Sequence, residues 1–222
     1  MSKTTFLTDE LLDHVYRNLA YTAPANIFAS LLTAVTGKEA GSVTEASYTG
    51  YARQSTAFGA PVVSVPAFGR QVANTALESF GQKTDAGSIT VIAVGLHDAV
   101  TAGNLMFIMF NDGGDPQYFV VTAGDLAGDT LQHGGHQFAN DDQVRLEFFP
   151  GSGGLPTGLS EDTTYHVVSA AADTIDLAAT MGGASINITA IGECLIHPLN
   201  PVTVNQNDTP EIAIGALVVQ EE

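Results

Sequence analysis

Two histidines and several aspartates lie close together in the middle of the sequence, and their side chains are of the kind that bind metals. His133 and His136 are three residues apart, and Asp129, Asp141 and Asp142 lie nearby. Zinc and related metals are bound by imidazole and carboxylate, but their sites need ligands anchored in fixed pairs. This histidine pair lies on glycine-rich sequence without a second anchored pair. We therefore interpret it as a turn leading into a strand and predict no metal ligands.

Other carboxylates have the oxygen chemistry that calcium prefers. Asp112, Asp115 and Asp125 follow one another across a glycine-rich stretch, and Asp141 is adjacent to Asp142. Calcium accepts carboxylates and carbonyls on flexible loops, but the spacing of the EF-hand loop is absent. Calcium binding stays open as an alternative, and the sequence predicts no cofactor.

Catalytic motifs are missing from the sequence. It contains no Gly-x-Ser-x-Gly elbow, no His-Glu-x-x-His and no phosphate-binding loop ending in Lys-Ser or Lys-Thr. Glu161 and Asp162 could in principle serve glycoside hydrolysis, where two acids flank the bond. Adjacent residues on a strand face opposite sides, and acids on a turn are usually solvated. We interpret this pair as polar surface and predict that the protein is not an enzyme.

The charge balance limits the class of partner. The 222 residues include 7 Lys and Arg against 24 Asp and Glu, for a formal net charge of −17. So few basic residues can neutralise little phosphate, which argues against nucleic acid and anionic membranes as partners. Cys194 is the only cysteine, so no intrachain disulfide is possible, and we expect it to be buried. Polar residues follow Lys3 and no stretch is apolar enough to span a bilayer, so we expect neither a secretory signal nor a membrane segment.

The elements that must position these residues are one helix followed by many strands. Thr8 or Asp9 is predicted to cap the helix, which should end before Pro24. Its apolar residues recur at helical spacing: Leu11, Leu12, Val15 and Leu19.

Downstream segments rich in Val, Ile, Thr and aromatic residues alternate with Gly, Pro, Asn and Asp, which is typical of short strands and turns. The predicted strands are Asn26–Val35, Gly50–Phe58, Ile89–His97, Asn104–Phe110, Gln117–Thr122, Val144–Phe149, Thr164–Ser169, Thr174–Leu177, Ser185–Ile191 and Ile212–Gln220. The predicted core comprises Ile27, Phe28, Leu31, Val91, Ile92, Val94, Leu105, Phe107, Ile212, Ile214, Leu217 and Val219.

Glycine-rich turns are concentrated between Asn111 and Pro198, where apolar strands could build a core of their own. The predicted fold is all-β: a jelly-roll-like β-sandwich with one N-terminal helix and an inserted small β domain. The discontinuous sandwich would comprise residues 1–110 and 198–222, and the insertion residues 111–197.

Two groups of motifs carry a resemblance to known families. The first resembles small virion proteins of tailed bacteriophages, in which a short helix precedes a compact β domain that closes on a Gly-Asp-Thr-Pro-Glu-type loop and a final apolar strand. Here Asn207-Asp208 stands where that family usually has Gly-Asp. The stretches that carry it are Leu7–His14, Tyr21–Leu32, Tyr51–Gln54, Val72–Thr75, Gly103–Phe107, Asn200–Val204 and Asp208–Ile212.

The second group, within His133–Gly192, resembles a β module common in phage tail-fibre and other virion proteins. Its motifs are His136–Val144, Leu155–Leu159, Thr164–Val168 and Ala184–Thr189. Taken together, the two resemblances imply a virion structural protein in which one β domain carries another as an insertion.

The resemblance implies two alternative positions in the virion, which is assembled in the host cytoplasm. We expect a capsid decoration, or cement, subunit on the outside of the head, because the chain is short and acidic and lacks coiled-coil or collagen-like repeats. The alternative is a tail or tail-fibre-associated protein with a receptor-facing module.

The expected partners are the major capsid protein or other virion proteins, together with further copies of this chain in a homo-oligomer, of which a trimer is favoured. Met1–Thr5 could act as an extended arm that adds a strand to a neighbour. The residues predicted to contact another subunit or the shell are Phe6, Leu7, Leu11, Leu12, Val15 and Leu19.

Overall fold

The computed structural model describes residues 2–37, 42–64, 69–149 and 153–221. Strands account for 42% and helix for 6% of the residues, so the prediction of an all-β protein with one helix is confirmed. The elements are β1 Ser2–Lys3, α1 Thr5–Tyr16, β2 Ile27–Gly37, β3 Ser42–Glu45, β4 Gln54–Thr56, β5 Val62–Val63, β6 Arg70–Ala73, β7 Glu78–Ser79, β8 Ile89–Val91, β9 Ala93–His97, β10 Leu105–Phe110, β11 Gln117–Val121, β12 Leu131–Gln132, β13 Gln143–Phe148, β14 Thr164–Val168, β15 Thr174–Ala178, β16 Gly192–Pro198, β17 Val202–Val204, β18 Glu211–Ile212 and β19 Val218–Glu221.

The chain divides into two compact units. The main unit comprises Met1–Ala34, Glu39–Phe110 and Val202–Glu222, and the barrel unit comprises Val35–Lys38 and Asn111–Pro201. The predicted second boundary is residue 197, and no part of β2 is predicted to belong to the middle unit. That the barrel unit is an inserted module that folds separately stays a prediction.

The main unit is built on one six-stranded antiparallel sheet. Its strands lie in the order β1-β10-β9-β2-β3, and β4 pairs with the beginning of β2. Phe28 lies opposite His97 and Leu31 lies opposite Val94, so β2 and β9 are in register along most of β9. This sheet positions the end of β9 and the turn into β10 beside the start of α1.

Three short ribbons form the other part of the main unit: β17 with β8, β18 with β7, and β19 with β6 and β5. Ala29 and Leu31 of the sheet pack with Val91 and Val204 of the ribbons, so the core lies between these layers. A jelly roll needs two Greek-key sheets of four strands. Among the described residues the second layer is a set of short ribbons rather than a four-stranded sheet.

The barrel unit is a closed six-stranded antiparallel barrel, in the order β11-β12-β15-β14-β13-β16, with β16 closing on β11. Alternate residues of each strand point inward and fill the interior, as expected of a small barrel. The fully buried residues include Phe119, Val144, Leu146, Val167, Ile175, Cys194 and Ile196.

The core prediction is largely confirmed. Leu31, Val91, Ile92, Leu105 and Leu217 are buried, Ile27, Val94, Phe107, Ile212 and Val219 pack partly buried against the core, and Phe28 is also partly buried. Ile214 is 67% exposed, so its assignment was wrong. The predicted strand Ile212–Gln220 breaks at this point, because residues 214–216 form a turn in which Gly215 has φ of 77°.

Some predicted boundaries also need correction. The helix begins at Thr5 rather than after Thr8 or Asp9, and it ends at Tyr16. Ser185–Ile191 makes only isolated bridges through Ser185 and Ala190, whereas Gly192–Pro198, for which no strand is predicted, is a seven-residue barrel strand. Among the described residues no helix is long and apolar enough to span a membrane.

Candidate interaction surface and polar cavity

Helix α1 is anchored at its beginning. Ser2 and Lys3 pair with Ile108 and Phe107 of β10, and the Thr4 hydroxyl donates to the carbonyl oxygens of Leu105 and Met106. Thr4 is the N-terminal capping residue, but its side chain makes no capping hydrogen bond. These contacts explain why the helix begins earlier than its sequence pattern predicts.

The same contacts show where the predicted N-terminal arm lies on its own chain. Ser2 and Lys3 form an edge strand of the main unit's sheet, and Thr4 is 1% exposed. Met1 lies outside the described residues. The outer edge of β1 pairs with no described strand, and the addition of a strand to a neighbour stays a prediction.

Only the first turn of α1 packs into the main unit. Leu7 is 6% exposed and Phe6 is partly buried. Leu11 lies only about 40° and Val15 about 80° from Leu7 around the helix. Leu11, Leu12 and Val15 are nevertheless exposed, so the later turns of α1 lack the cover that the first turn has.

The exposed side of α1 and the residues after it form what we call the apolar α1 surface. Its members are 36 to 80% exposed: Leu11, Leu12, Val15, Tyr16 and Leu19. Scattered apolar residues are common on protein surfaces, but a contiguous group is typical of a contact with another molecule. The prediction that these residues contact a subunit or the shell stays a prediction.

Polar contacts fix the shape of this surface. The Arg17 guanidinium donates to Asp13 at 2.8 Å, and the amide of Leu19 donates to the Asp13 carbonyl oxygen at 3.1 Å. His14 Nδ1 lies 3.1 Å from the Leu19 carbonyl oxygen. The chain after the helix is thereby folded back, which keeps Leu19 beside the last turn.

The histidines and aspartates singled out as possible metal ligands have other partners. His133 Nδ1 lies 2.7 Å from the Tyr118 carbonyl oxygen, and His136 Nε2 lies 3.1 Å from that of Thr174. Asp129 accepts from the Ile188 amide at 2.7 Å. Asp142 accepts from the Ala139 amide and Asp141 from the Gly182 amide. No group of three or more metal-binding side chains occurs in the part of the chain that the structure describes.

The possible calcium ligands are also dispersed. Asp112 accepts two hydrogen bonds from Arg145, at 3.1 and 3.0 Å. Asp125 is 8% exposed; burial acts to raise its pKa, but hydrogen bonds from Thr122 and Gln132 hold that pKa below its ordinary value. Both carboxylates thus serve the barrel unit.

Sequence reasoning missed a buried charged group in the barrel unit. Arg145 is 3% exposed and donates to Asp112, Glu147 and Asp162, the last at 3.3 Å. Asp162 is fully buried, so the assignment of Glu161 and Asp162 to polar surface was wrong for Asp162. The signal available in the sequence was an arginine between two inward apolar residues of one strand.

The main unit contains a polar cavity of about 390 Å³ that sequence reasoning also missed. It lies between the start of α1, strand β3, the end of β9 and the turn of residues 102–105. The side chains that matter for its chemistry are Thr4, Phe6, Val43, Glu45, Arg53 and His97.

A charged pair is held rigidly at this cavity. Arg53 Nε lies 3.1 Å from both carboxylate oxygens of Glu45, and Nη2 lies 2.8 Å from Oε2. The Arg53 Nη1 group donates to the carbonyl oxygens of Ala99 and Ala102 at 2.9 and 2.7 Å. The Tyr51 hydroxyl donates to Glu45 Oε1 at 2.7 Å. Burial opposes ionisation of Glu45, but the hydrogen bonds from Arg53 and Tyr51 leave its pKa below the ordinary value.

His97 is the buried titratable group of this cavity. It is 4% exposed, and its Nε2 lies 2.9 Å from the Ser30 hydroxyl. Burial, with the nearby Arg53 charge, lowers the pKa of His97 to about 4, so its ring is neutral at neutral pH. Its buried Nδ1 has no hydrogen-bond partner among the described residues.

With this geometry in place, comparison with known proteins assigns the class of protein. Residues 2–110 match the family model described as podophage GP4 fiber I protein gp80, a match that covers just under half of the chain. This chain is a tailed-phage virion structural protein. No curated protein matches the chain.

The stretch of this virion protein that matches the family model lies mostly in the main unit. It ends at Phe110, the last residue of β10, and it includes both the apolar α1 surface and the polar cavity. The barrel unit's main segment begins at the next residue, Asn111. The sequence expectation of a virion protein is thus confirmed, and the likeness lies in the part of the chain that carries both candidate sites.

Proposed function

We propose that this virion protein is a fibre-type structural subunit that binds neighbouring virion subunits through the apolar α1 surface and carries out no catalysis. The observation that carries the proposal is the exposure of Leu11, Leu12 and Val15 within the stretch that matches a phage fibre protein family. A helix of a self-contained domain normally turns its apolar side inward. Here that side is left for a partner.

The proposed partner is a second copy of this chain within a homo-oligomer, with a trimer favoured, and the other virion proteins contact the assembled ring. Closed symmetric oligomers let identical subunits share one apolar surface. Few basic side chains are available on the chain, and Arg17, Arg53 and Arg145 are all paired internally. An apolar contact therefore suits this acidic protein better than a charged one.

The capsid decoration role expected from the sequence rests only on size, charge and the lack of fibre-forming repeats. The family match favours a fibre-type position in the virion, and we propose that position instead. Assembly would take place in the host cytoplasm before release of the particle.

Labelling of intact particles tests the position. Gold-labelled antibodies against this chain should mark the tail or its fibres in electron micrographs. Label distributed over the head would support the decoration role and would overturn the fibre-type assignment.

A matched pair of variants tests the contact. Leu12 is 49% and Leu77 is 51% exposed, and both lie in the main unit. Leu12→Glu should shift the purified protein from oligomer to monomer in light scattering and reduce its occupancy in particles at least tenfold. Leu77→Glu should leave both quantities unchanged. An oligomer that survives Leu12→Glu would exclude the apolar α1 surface as the contact.

A further inference from the structure

The barrel unit carries a groove that the proposed function does not use, and we call it the β11–β16 groove. It lies where β11 and β16 run side by side, at the paired residues Val121 and Gly192. Its volume of about 490 Å³ is within the range typical of small-ligand sites. Ala123 and Gly192 line it with little or no side chain, and this leaves open space between the larger lining residues.

The walls of this groove are mostly apolar. Val120, Val121 and Ile191 line it, and Ile191 is 63% exposed. Tyr118 lies on the same side of β11 as Val120, because alternate residues of a strand face the same way. Tyr118 and Phe149 are both 37% exposed, and their ring centroids are 5.1 Å apart in an edge-to-face arrangement. The groove is therefore continuous with an exposed apolar surface, which is typical of contact with another molecule.

One carboxylate lies within this apolar surface. Glu193 lines the groove and accepts a hydrogen bond from the uncharged Tyr118 hydroxyl. Arg145 is the only basic residue between positions 111 and 201, and it is bound to three other carboxylates. Among the described residues of the barrel unit, Glu193 therefore has no counter-charge. A carboxylate beside apolar walls attracts a cation more strongly than one surrounded by water.

The charge balance of the chain indicates which partner can supply that cation. The chain has 7 Lys and Arg residues against 24 Asp and Glu. Arg17, Arg53 and Lys83 are already bound to carboxylates of their own chain. A second copy of this acidic chain thus has few cations to offer, whereas a basic segment of a different protein is complementary in charge.

The spacing of the lining residues adds a constraint on that segment. Ile191 and Glu193 both line the groove and are two residues apart. Side chains two residues apart on an extended peptide also lie on one side of its backbone. An extended segment with an aliphatic residue two positions from a lysine or arginine therefore matches both groups at once.

We propose that the β11–β16 groove binds a short extended segment of a different protein, in which an aliphatic side chain packs against Ile191 and a lysine or arginine two positions away pairs with Glu193. The inference goes beyond the proposed function, because the groove belongs to the barrel unit and the apolar α1 surface to the main unit.

Titration of the full-length protein with capped peptides tests the proposal. The lysine peptide is acetyl-Thr-Ile-Thr-Lys-Thr-amide, and two matched peptides have Gln or Glu in place of Lys. The lysine peptide should shift the methyl NMR signals of Val120 and Ile191, with a Kd of about 1 mM. The Gln peptide should bind at least threefold and the Glu peptide at least tenfold more weakly. Acetyl-Thr-Thr-Ile-Lys-Thr-amide, in which Ile and Lys are adjacent, should also bind at least threefold more weakly.

Substitutions in the groove locate the binding. Ala123→Phe fills the groove without removing a polar group and should abolish the methyl shifts. Ala127→Phe, at another exposed alanine of the turn after β11, is the matched control and should bind as the wild type does. Glu193→Gln should bind the lysine peptide no more tightly than the Gln peptide. Glu211→Gln makes the same charge change on the main unit and should have no effect. Ile191→Ala should weaken binding at least threefold, measured at Val120, if Ala123→Phe fails to fold.

Several results would overturn the proposal. Methyl signals that no peptide moves would mean that the groove binds no such segment, and equal binding of the Lys and Glu peptides would contradict the role of Glu193. Equal binding by Ala123→Phe and wild type would place the peptide elsewhere. A change of oligomeric state in Ala123→Phe, measured by light scattering, would make the groove a contact between copies of this chain instead. Leu12→Glu should bind the lysine peptide as the wild type does, so this proposal and the proposed function can fail separately.

Discussion

Arg145 has the strongest single-residue role that the structure reveals in the barrel unit. Of its three carboxylate partners, Asp112 and Glu147 are 34% and 41% exposed at the side chain, but Asp162 is only 1% exposed. Breaking a buried ion pair by removing one of its partners costs about 3–5 kcal/mol.

Arg145→Ala should therefore lower the free energy of unfolding of the barrel unit by about 3–5 kcal/mol. This loss is measured by urea denaturation of the full chain, monitored through the NMR signals of the buried Leu146 methyl groups. Arg17→Ala is the matched control, because the Arg17–Asp13 pair is largely exposed and should contribute less than about 0.5 kcal/mol. Equal effects of the two substitutions would contradict the role of Asp162 burial.

Glu147 makes the stability of this unit depend on acid pH. The pKa of Glu147 is lowered from 4.5 to about 2, mainly by hydrogen bonding to His197. Burial opposes this shift, and hydrogen bonding to Arg145 adds to it. A carboxyl whose pKa is lowered in the folded state stabilises the protein above its unfolded pKa and loses that contribution as the pH falls. The wild type should lose stability between about pH 4.5 and 2, and Glu147→Gln should lose less over this range. If the free energies of unfolding of the wild type and Glu147→Gln, measured by urea denaturation, fell equally with pH, this role of Glu147 would be refuted.

The burial and backbone conformation of individual residues could be predicted where a single general rule determines them. Cys194 is fully buried, and its pKa is raised by burial to about 12, as expected of a lone cysteine without basic neighbours. Asn207, at the position where the resembling family has Gly, has φ of 71°, a conformation that Asn tolerates better than most residues. The position of Asp162 was not predictable, because its partner Arg145 lies 17 residues away.

At the scale of elements, glycines fix the approach of two loops in the main unit. Gly81 has φ of 78°, and a Cβ there would clash with the Gly50 carbonyl oxygen. Gly87 has φ of 83° with no atom within 4 Å of such a Cβ. Substituting these two glycines therefore distinguishes the cost of a positive φ from the cost of a steric clash.

Gly87→Ala should destabilise the main unit by about 1 kcal/mol through its positive φ alone. Gly81→Ala should cost about 3 kcal/mol or more, because backbone must also move. Thermal unfolding of both variants beside the wild type measures the difference. Similar melting temperatures for the two would show that the loops around Gly50 and Gly81 are not held at this distance.

Strands with several consecutive apolar or β-branched residues were predictable to within about a residue, such as Leu105–Phe110 and Thr164–Val168. Two-residue strands such as β1 and β7 were not, because their partners across the sheet define them rather than their own propensity. β16 was missed because it begins with Gly192 and ends with Pro198, both poor strand formers. The exposure of Leu11 was not predictable either, since the same pattern normally marks a buried side of a helix.

At the scale of the whole molecule, we predict that the barrel unit folds alone. Its core cluster lies entirely within residues 119–196. A polypeptide of residues 111–201 should give a dispersed NMR spectrum and unfold cooperatively. The matched control, residues 111–191, lacks β16, which pairs with both β11 and β13, and should remain unfolded. A disordered 111–201 fragment would show that the two-domain interpretation is wrong.

The density of glycine-rich turns predicts a second β domain from residue 111, and its independence stays a prediction, although one of the two compact units has its main segment from Asn111. The closed barrel topology of that unit was not predictable, because the pairing of β11 with β16 joins residues far apart in sequence. Nor was the polar cavity, whose lining residues come from four separate segments of the chain.

The two ends of the barrel unit's main segment lie side by side. Asn111 and Asn200 bond to each other through both backbone and side chain, and the Gly113 amide donates to the Pro198 carbonyl oxygen at 2.7 Å. A segment whose ends nearly touch can be cut out and replaced by another with adjacent ends at little cost in loop entropy. If the barrel unit folds separately, as we predict, the junction between Asn111 and Asn200 is a position at which a protein engineer can display a foreign domain.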